Sequence, residues 1–168
     1  MGASTDEVFA SLEEIGHDDL RWKDGRAFSL AYYAGPEVQA VSDEAVRRFG
    51  SANGLNADAF PSLRRFQNDV IATTRGWLGA DESAAGFMTS GGTESIILAV
   101  KAARAQARAD RSVHSPNVVL PTSAHAAFEK ACHYFDVESR RVSVRDDWRA
   151  DVAAMEAAID DQTILMVG

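Results

Sequence analysis

Apolar residues along this chain fall into helical spacing first and into short unbroken runs later. Near the start, Val8, Phe9, Leu12 and Ile15 recur at three- and four-residue intervals, the spacing of one helix face. That pattern predicts an amphipathic helix over residues 8–15. Residues 22–33 lack such a period and read as irregular or extended, with Gly25 and then Gly35-Pro36 as breaks. Helical spacing returns over residues 37–49, with Val38, Val41, Ala45 and Phe49 on one side. It recurs over residues 63–78, where Leu63, Phe66, Val70, Ile71 and Trp77 are apolar and Gly79 marks the end. After residue 92 the rhythm changes. A helix precedes the short run Val118-Val119-Leu120, which reads as a strand, and residues 123–135 read as the next helix. Residues 142–144 follow as a strand, 151–159 as a helix, and Thr163-Ile164-Leu165-Met166-Val167-Gly168 as a buried strand. Residues 109–117, polar and carrying Pro116, form the only linker-like stretch, and no internal repeat is visible. Strands alternating with helices predict an α/β fold, a mostly parallel sheet flanked by helices.

The entry to the long helix carries the densest chemistry. It reads Thr89-Ser90-Gly91-Gly92-Thr93-Glu94-Ser95 and runs straight into Ile96-Ile97-Leu98-Ala99-Val100. Two adjacent glycines let the backbone turn tightly and approach a ligand closely. Thr93 is expected to cap the helix, with Glu94 in its first turn as a helix-start carboxylate rather than a catalytic acid. The free N–H groups of that turn form an anion site, most naturally for a phosphate. Neither Gly-Lys-Ser/Thr nor Gly-x-Gly-x-x-Gly is present, so the turn is neither a P-loop nor a dinucleotide fingerprint. In parallel sheets ligands sit beyond the carboxyl ends of the strands, which is where this turn should lie.

Composition narrows the class further. Hydrophobic residues make up 46% and charged residues 25%, ordinary values for a globular domain. The net charge of -8 argues against a nucleic-acid surface. A single cysteine, Cys132, excludes an internal disulfide and fits a reducing, cytoplasmic compartment. It shares an apolar face with Phe128 and Phe135 and is expected to be buried and inert. No apolar run approaches the roughly 20 residues that cross a bilayer, and no signal peptide precedes the first helix. His17, His114 and His133 show no metal-ligand spacing, and no metal site is expected.

Three segments together resemble the pyridoxal-phosphate (PLP) dependent group II decarboxylase family, and within it the sphingosine-1-phosphate lyase branch. The first is the Thr89-to-Ser95 turn with its helix. The second, Asn53-Gly54-Leu55-Asn56-Ala57-Asp58-Ala59-Phe60-Pro61-Ser62-Leu63, is similar to the family's Asn-x-Leu-x-x-x-x-Phe-Pro-x-Leu segment, with Gly54 where the family often has proline. The third, Pro121-Thr122-Ser123-Ala124-His125-Ala126-Ala127-Phe128, resembles the segment whose histidine stacks on the pyridine ring. The resemblance implies the large domain of a type I PLP-dependent transferase-like fold, present in part.

It further implies that Gly91, Gly92 and Thr93, with the Ser90 or Thr93 hydroxyl, hold the PLP phosphate and that His125 presses on the ring. Asn53 would touch substrate or cofactor, although on its own it reads as a turn residue before Gly54. Tyr33 would match a tyrosine reaching the site from a partner subunit; otherwise it belongs to a core. Residues 1–50 would form an N-terminal helical arm contacting the partner of a homodimer, and residues 51–168 the N-terminal half of the PLP-binding domain. Family members are more than twice as long, and their pyridine-pairing aspartate and Schiff-base lysine would lie beyond Gly168. Lys23, Lys101 and Lys130 sit in no matching motif. The implied reaction on a small-molecule amine is retro-aldol cleavage of a phosphorylated long-chain amino alcohol to a fatty aldehyde and phosphoethanolamine. An amino-acid decarboxylase and a non-catalytic PLP- or phosphate-binding fragment stay open as alternatives.

Overall fold

A computed structural model describes residues 2–27, 31–56 and 58–168. Phe28, Ser29 and Leu30 of the irregular stretch, and Ala57 of the Asn53 segment, lie outside the described residues. The chain forms two compact units, Met1–Phe66 and Gln67–Gly168, and the division falls inside one helix.

In the first unit, α1 (Thr5–Ile15) starts three residues before the apolar spacing suggested. Its start is set by polar groups. The Ser4 hydroxyl accepts from the Glu7 N–H, and Glu7 Oε2 accepts from the Ser4 N–H at 2.7 Å, a reciprocal capping box. A 3-10 turn, Trp22–Asp24, opens the irregular stretch. Both α2 (Pro36–Phe49) and α3 (Pro61–Trp77) begin on a proline, whose missing N–H costs nothing in a first turn. Phe66 of α3 meets Phe49 edge-on at 4.9 Å. The expected apolar faces exist, yet no described residue of α1, α2 or α3 is buried.

The core lies in the second unit. It runs through α4 (Gly92–Arg111), β1 (Asn117–Pro121), α5 (Ala127–Phe135), β2 (Glu138–Val142), α6 (Val152–Ala157) and β3 (Thr163–Met166). The sheet has order β2-β1-β3 and is parallel throughout, as the alternating pattern required. All five residues of the central strand β1 are buried. Val118 and Leu120 join Val100 of α4 and Ala131 and Cys132 of α5 in one cluster, with Ile97, Phe128, Ile164 and Leu165 packed against it.

Four expectations need correction. The linker-like stretch is helical at its start, because α4 continues to Arg111 and leaves through Ser112 in the left-handed conformation (φ 53°). The helix after β1 begins at Ala127 rather than residue 123, and residues 122–126 form a turn. The second strand occupies Glu138–Val142 rather than residues 142–144, while Val144 makes only an isolated bridge to Ala150. A strand paired on one edge only can carry charges, so the apolar Val142-Ser143-Val144 alternation was misleading. Finally, β3 is half-buried, with Met166 59% exposed, because it forms the opposite edge.

Asn117 is the one buried polar side chain among the described residues, and it is fully satisfied. Its Nδ2 donates to Asp160 Oδ1 at 2.8 Å, and its Oδ1 accepts from the Thr163 hydroxyl at 2.8 Å. Arg140 of β2 reaches the other oxygen of Asp160 at 2.6 Å. One polar knot thus ties the amino ends of β1 and β3 to the middle of β2.

Candidate active site

The direction of α4 fixes where its first turn lies. Near its last turn Arg111 donates to the Thr163 carbonyl at 3.0 Å, at the start of β3, so the helix runs antiparallel to the strands. Its 20 residues span about 30 Å, whereas five strand residues span about 17 Å. Gly92 therefore stands at, and beyond, the carboxyl end of the sheet. The turn after β1 leaves from that same end, and Ala124 within it packs on the core cluster alongside Ile97 of α4.

The loop is shaped by its own side chains. Gly91 has φ +156°, a backbone state that side chains resist, so glycine is required there. The cap is Gly91 itself with no side-chain bond, and the helix begins at Gly92. Thr93 is thus the second helical residue and not the cap expected from the sequence. The first helical backbone bond runs from the Ser95 N–H to the Gly91 carbonyl at 3.1 Å. The N–H groups of Gly92, Thr93 and Glu94 have no partner among the described residues, as a helix start dictates.

Around these donors the loop is braced. The Thr89 hydroxyl donates to the Gly91 carbonyl at 3.0 Å and sits 2.7 Å from Ser95 Oγ, which must then donate to it. Glu94 Oε2 accepts from the Ser90 N–H at 2.6 Å, and that bond holds its carboxyl below the usual carboxylate range. Glu94 is the helix-start carboxylate the sequence suggested. Ser90, Gly91, Gly92 and Thr93 are exposed. Three free N–H groups, two hydroxyls and no Cβ at the turn make a donor set that fits a phosphate.

His125 lies in the turn between β1 and α5, exposed, with Nδ1 accepting from the Ala127 N–H at 3.0 Å. An accepting Nδ1 leaves the ring proton on Nε2, so the imidazole presents an N–H edge and an open face. The same bond caps the first turn of α5. Within the second unit, Ser90, Gly91, Gly92, Thr93 and His125 thus share the carboxyl end of the sheet. Asn53 and Tyr33 belong to the first unit. Asn53 Oδ1 accepts from the Leu55 N–H at 3.2 Å, a turn that occupies its carbonyl and leaves its NH2 group. Tyr33 meets Trp22 edge-on at 5.8 Å. Cys132 is 3% exposed, and burial, helped by the charge of Glu129, pushes its thiol up to about 11. It is the inert core residue expected. Sequence reading included Thr89 and Ser95 in the turn motif but not the bond between their hydroxyls.

No family model matches the chain. Its curated relatives are informative. It is 37% identical to sphingosine-1-phosphate lyase 1 of Rattus norvegicus, over 99% of this chain and 29% of the lyase. The Arabidopsis thaliana sphingosine-1-phosphate lyase is also 37% identical, over 96% of this chain and 31% of the relative. The chain is homologous to the sphingosine-1-phosphate lyases. It spans about a third of their length. The sphingosine-1-phosphate lyase of Burkholderia pseudomallei K96243 superposes with a TM-score of 0.88 at 30% identity, over all of this chain and 40% of that structure. Beyond the lyases, a probable L-tyrosine/L-aspartate decarboxylase of Methanosarcina acetivorans is 32% identical over the whole chain and 45% of its own length. Lactobacillus brevis glutamate decarboxylase, with a TM-score of 0.73 at 23% identity, shares the fold. The homology makes PLP the cofactor that the family implies.

Proposed function

We propose that this chain is the phosphate-holding part of a PLP-dependent carbon–carbon lyase of the sphingosine-1-phosphate lyase type, acting as a homodimer in the cytoplasm. The carrying observation is the braced Gly91-Gly92 turn with three unpartnered N–H groups, in a chain homologous to those lyases over its full length. Gly92, Thr93 and Glu94 would donate their N–H groups to the cofactor phosphate, where the positive end of α4 favours the anion. The Ser90 and Thr93 hydroxyls would complete that set. His125 would lay its ring on the cofactor, with Nε2–H free to donate at the edge. When bound, PLP supplies an electron sink for the pair released as a bond at the amine-bearing carbon breaks. Asn53 and Tyr33 are proposed substrate contacts, and residues 1–50 a dimer arm.

Titration of 15N-labelled protein with PLP, pyridoxal and inorganic phosphate tests the cradle. The Gly92, Thr93 and Glu94 amides should shift with PLP and phosphate and stay still with pyridoxal. His125→Ala should weaken PLP binding about three- to tenfold, the range of an aromatic contact, and leave phosphate binding intact. Amides that ignore PLP would remove the cradle reading. The reaction itself is checked on the protein as its source makes it, supplied with PLP and a phosphorylated long-chain amino alcohol. Release of a long-chain aldehyde with phosphoethanolamine is expected. Carbon dioxide from an amino acid would favour decarboxylation instead, the reading to which the Methanosarcina acetivorans relative lends support.

A further inference from the structure

Strand β2 carries two adjacent arginines, and alternation along a strand sends them to opposite faces of the sheet. Arg140 goes to the turn before β3, donating to the Ala158 carbonyl at 3.0 Å and to Asp160. Arg141, opposite Leu120 of β1 in the ladder, goes the other way. Its Nη1 donates to the Thr122 carbonyl at 2.9 Å, the first carbonyl after β1. Its Nε donates to Glu129 Oε1, in the first turn of α5. Ser139, on the same face of β2, donates to that same Glu129 oxygen. The Thr122 N–H is held as well, by the Val142 carbonyl at 2.8 Å. Between Thr122 and α5 lie only Ser123, Ala124, His125 and Ala126.

We propose that Arg141 is the positioning residue for His125, its guanidinium tying together both ends of the short turn on which the imidazole rides. Each end is also held singly to β2, Thr122 by the Val142 carbonyl and Glu129 by Ser139, but the Arg141 guanidinium reaches both. A planar fork can serve two acceptors set at fixed angles, which a lysine cannot reproduce. The Arg141 side chain is 29% exposed and the Glu129 side chain 44%, so the clamp is partly shielded from water and salt. Serine and arginine donors also keep the Glu129 carboxyl below its ordinary range, so it stays charged as the arginine's partner. The assignment rests on reading His125 as the cofactor contact, but the clamp is testable without any cofactor.

The experiment is long-range 1H–15N correlation of the His125 imidazole, with hydrogen exchange at the Ala127 amide, in the unliganded protein. Wild type should show one neutral tautomer, protonated at Nε2. Arg141→Met should mix the tautomers and speed Ala127 exchange about fivefold, the loss expected for one ordinary hydrogen bond. Arg141→Lys, which keeps the charge and folds more readily, should fall between the two. Arg140→Met is the control, because it loosens the same strand from the opposite face and should leave the His125 spectrum as in wild type. Unchanged His125 signals in the Arg141 variants overturn the proposal. So does an Arg140→Met spectrum altered to the same extent. Failure of PLP to bind would remove the cofactor reading and leave this result standing.

Discussion

Gly91 is the residue on which the cradle turns. At φ +156° any side chain strains the backbone, even though a Cβ there would meet no neighbour within 4 Å. Gly91→Ala should therefore cost about 1–3 kcal/mol, the usual range for a residue in a disfavoured region, and release the Thr89 and Ser95 brace. Urea denaturation reads the first effect, and loss of phosphate-induced amide shifts reads the second. Asn117 is the opposite kind of residue, polar and fully buried but satisfied on both ends. Asn117→Ala should cost about 1–3 kcal/mol by orphaning its partners, measured the same way. Its partner Asp160 gives a pH signature. Bonds from Asn117 and then Arg140 lower the Asp160 carboxyl to about 2. The folded value lies below the unfolded one of about 4, so its contribution is complete above the unfolded value and disappears as pH falls toward the folded one. Asp160→Asn should flatten the pH dependence of stability in that acidic window. A slope identical to wild type would show that Asp160 does not carry it.

At the level of elements, β1 is the central strand of the sheet and supplies Val118 and Leu120 to the core cluster of the second unit. Leu120 is 0% exposed within it, and Leu120→Ala should lower stability by about 2–5 kcal/mol in urea denaturation. This strand was legible in the sequence because a strand buried on both faces reads as an unbroken apolar run. So was the existence of α4, although its cap is Gly91 and not the Thr93 that the sequence suggested. The edge strand β2 was not. The residues of β2, Glu-Ser-Arg-Arg-Val, carry no period-two apolar pattern, since their side chains serve neighbouring turns rather than the core. The start of α1 was missed for a related reason, because Ser4 and Glu7 set it with hydrogen bonds rather than with hydrophobicity. The candidate site divides in the same way. Its donors, from Ser90 to Thr93, are contiguous and could be read directly. The support for its histidine comes from a strand that the local pattern does not announce.

Across the whole molecule, burial is concentrated in residues 100–137, while α1 leaves Phe9, Leu12 and Ile15 between 59% and 74% exposed. An apolar stripe of that kind suits the proposed dimer arm. Removing residues 1–18 is expected to lower the mass measured by light scattering on a sizing column. An unchanged mass would take the arm out of the interface. The Asn117 knot bears on how the chain comes off the ribosome. Asn117 is separated from Asp160 by 43 residues and from Thr163 by 46, and at 5–20 residues per second that gap lasts about 2–9 seconds. Throughout that interval α4, β1, α5 and β2 can collapse around Val118 and Leu120, but the Asn117 amide has only water for company. Drying out the amino end of β1 must wait for β3 to emerge. The nascent sheet is thus sealed in the order of its translation, by a polar residue that makes early closure costly.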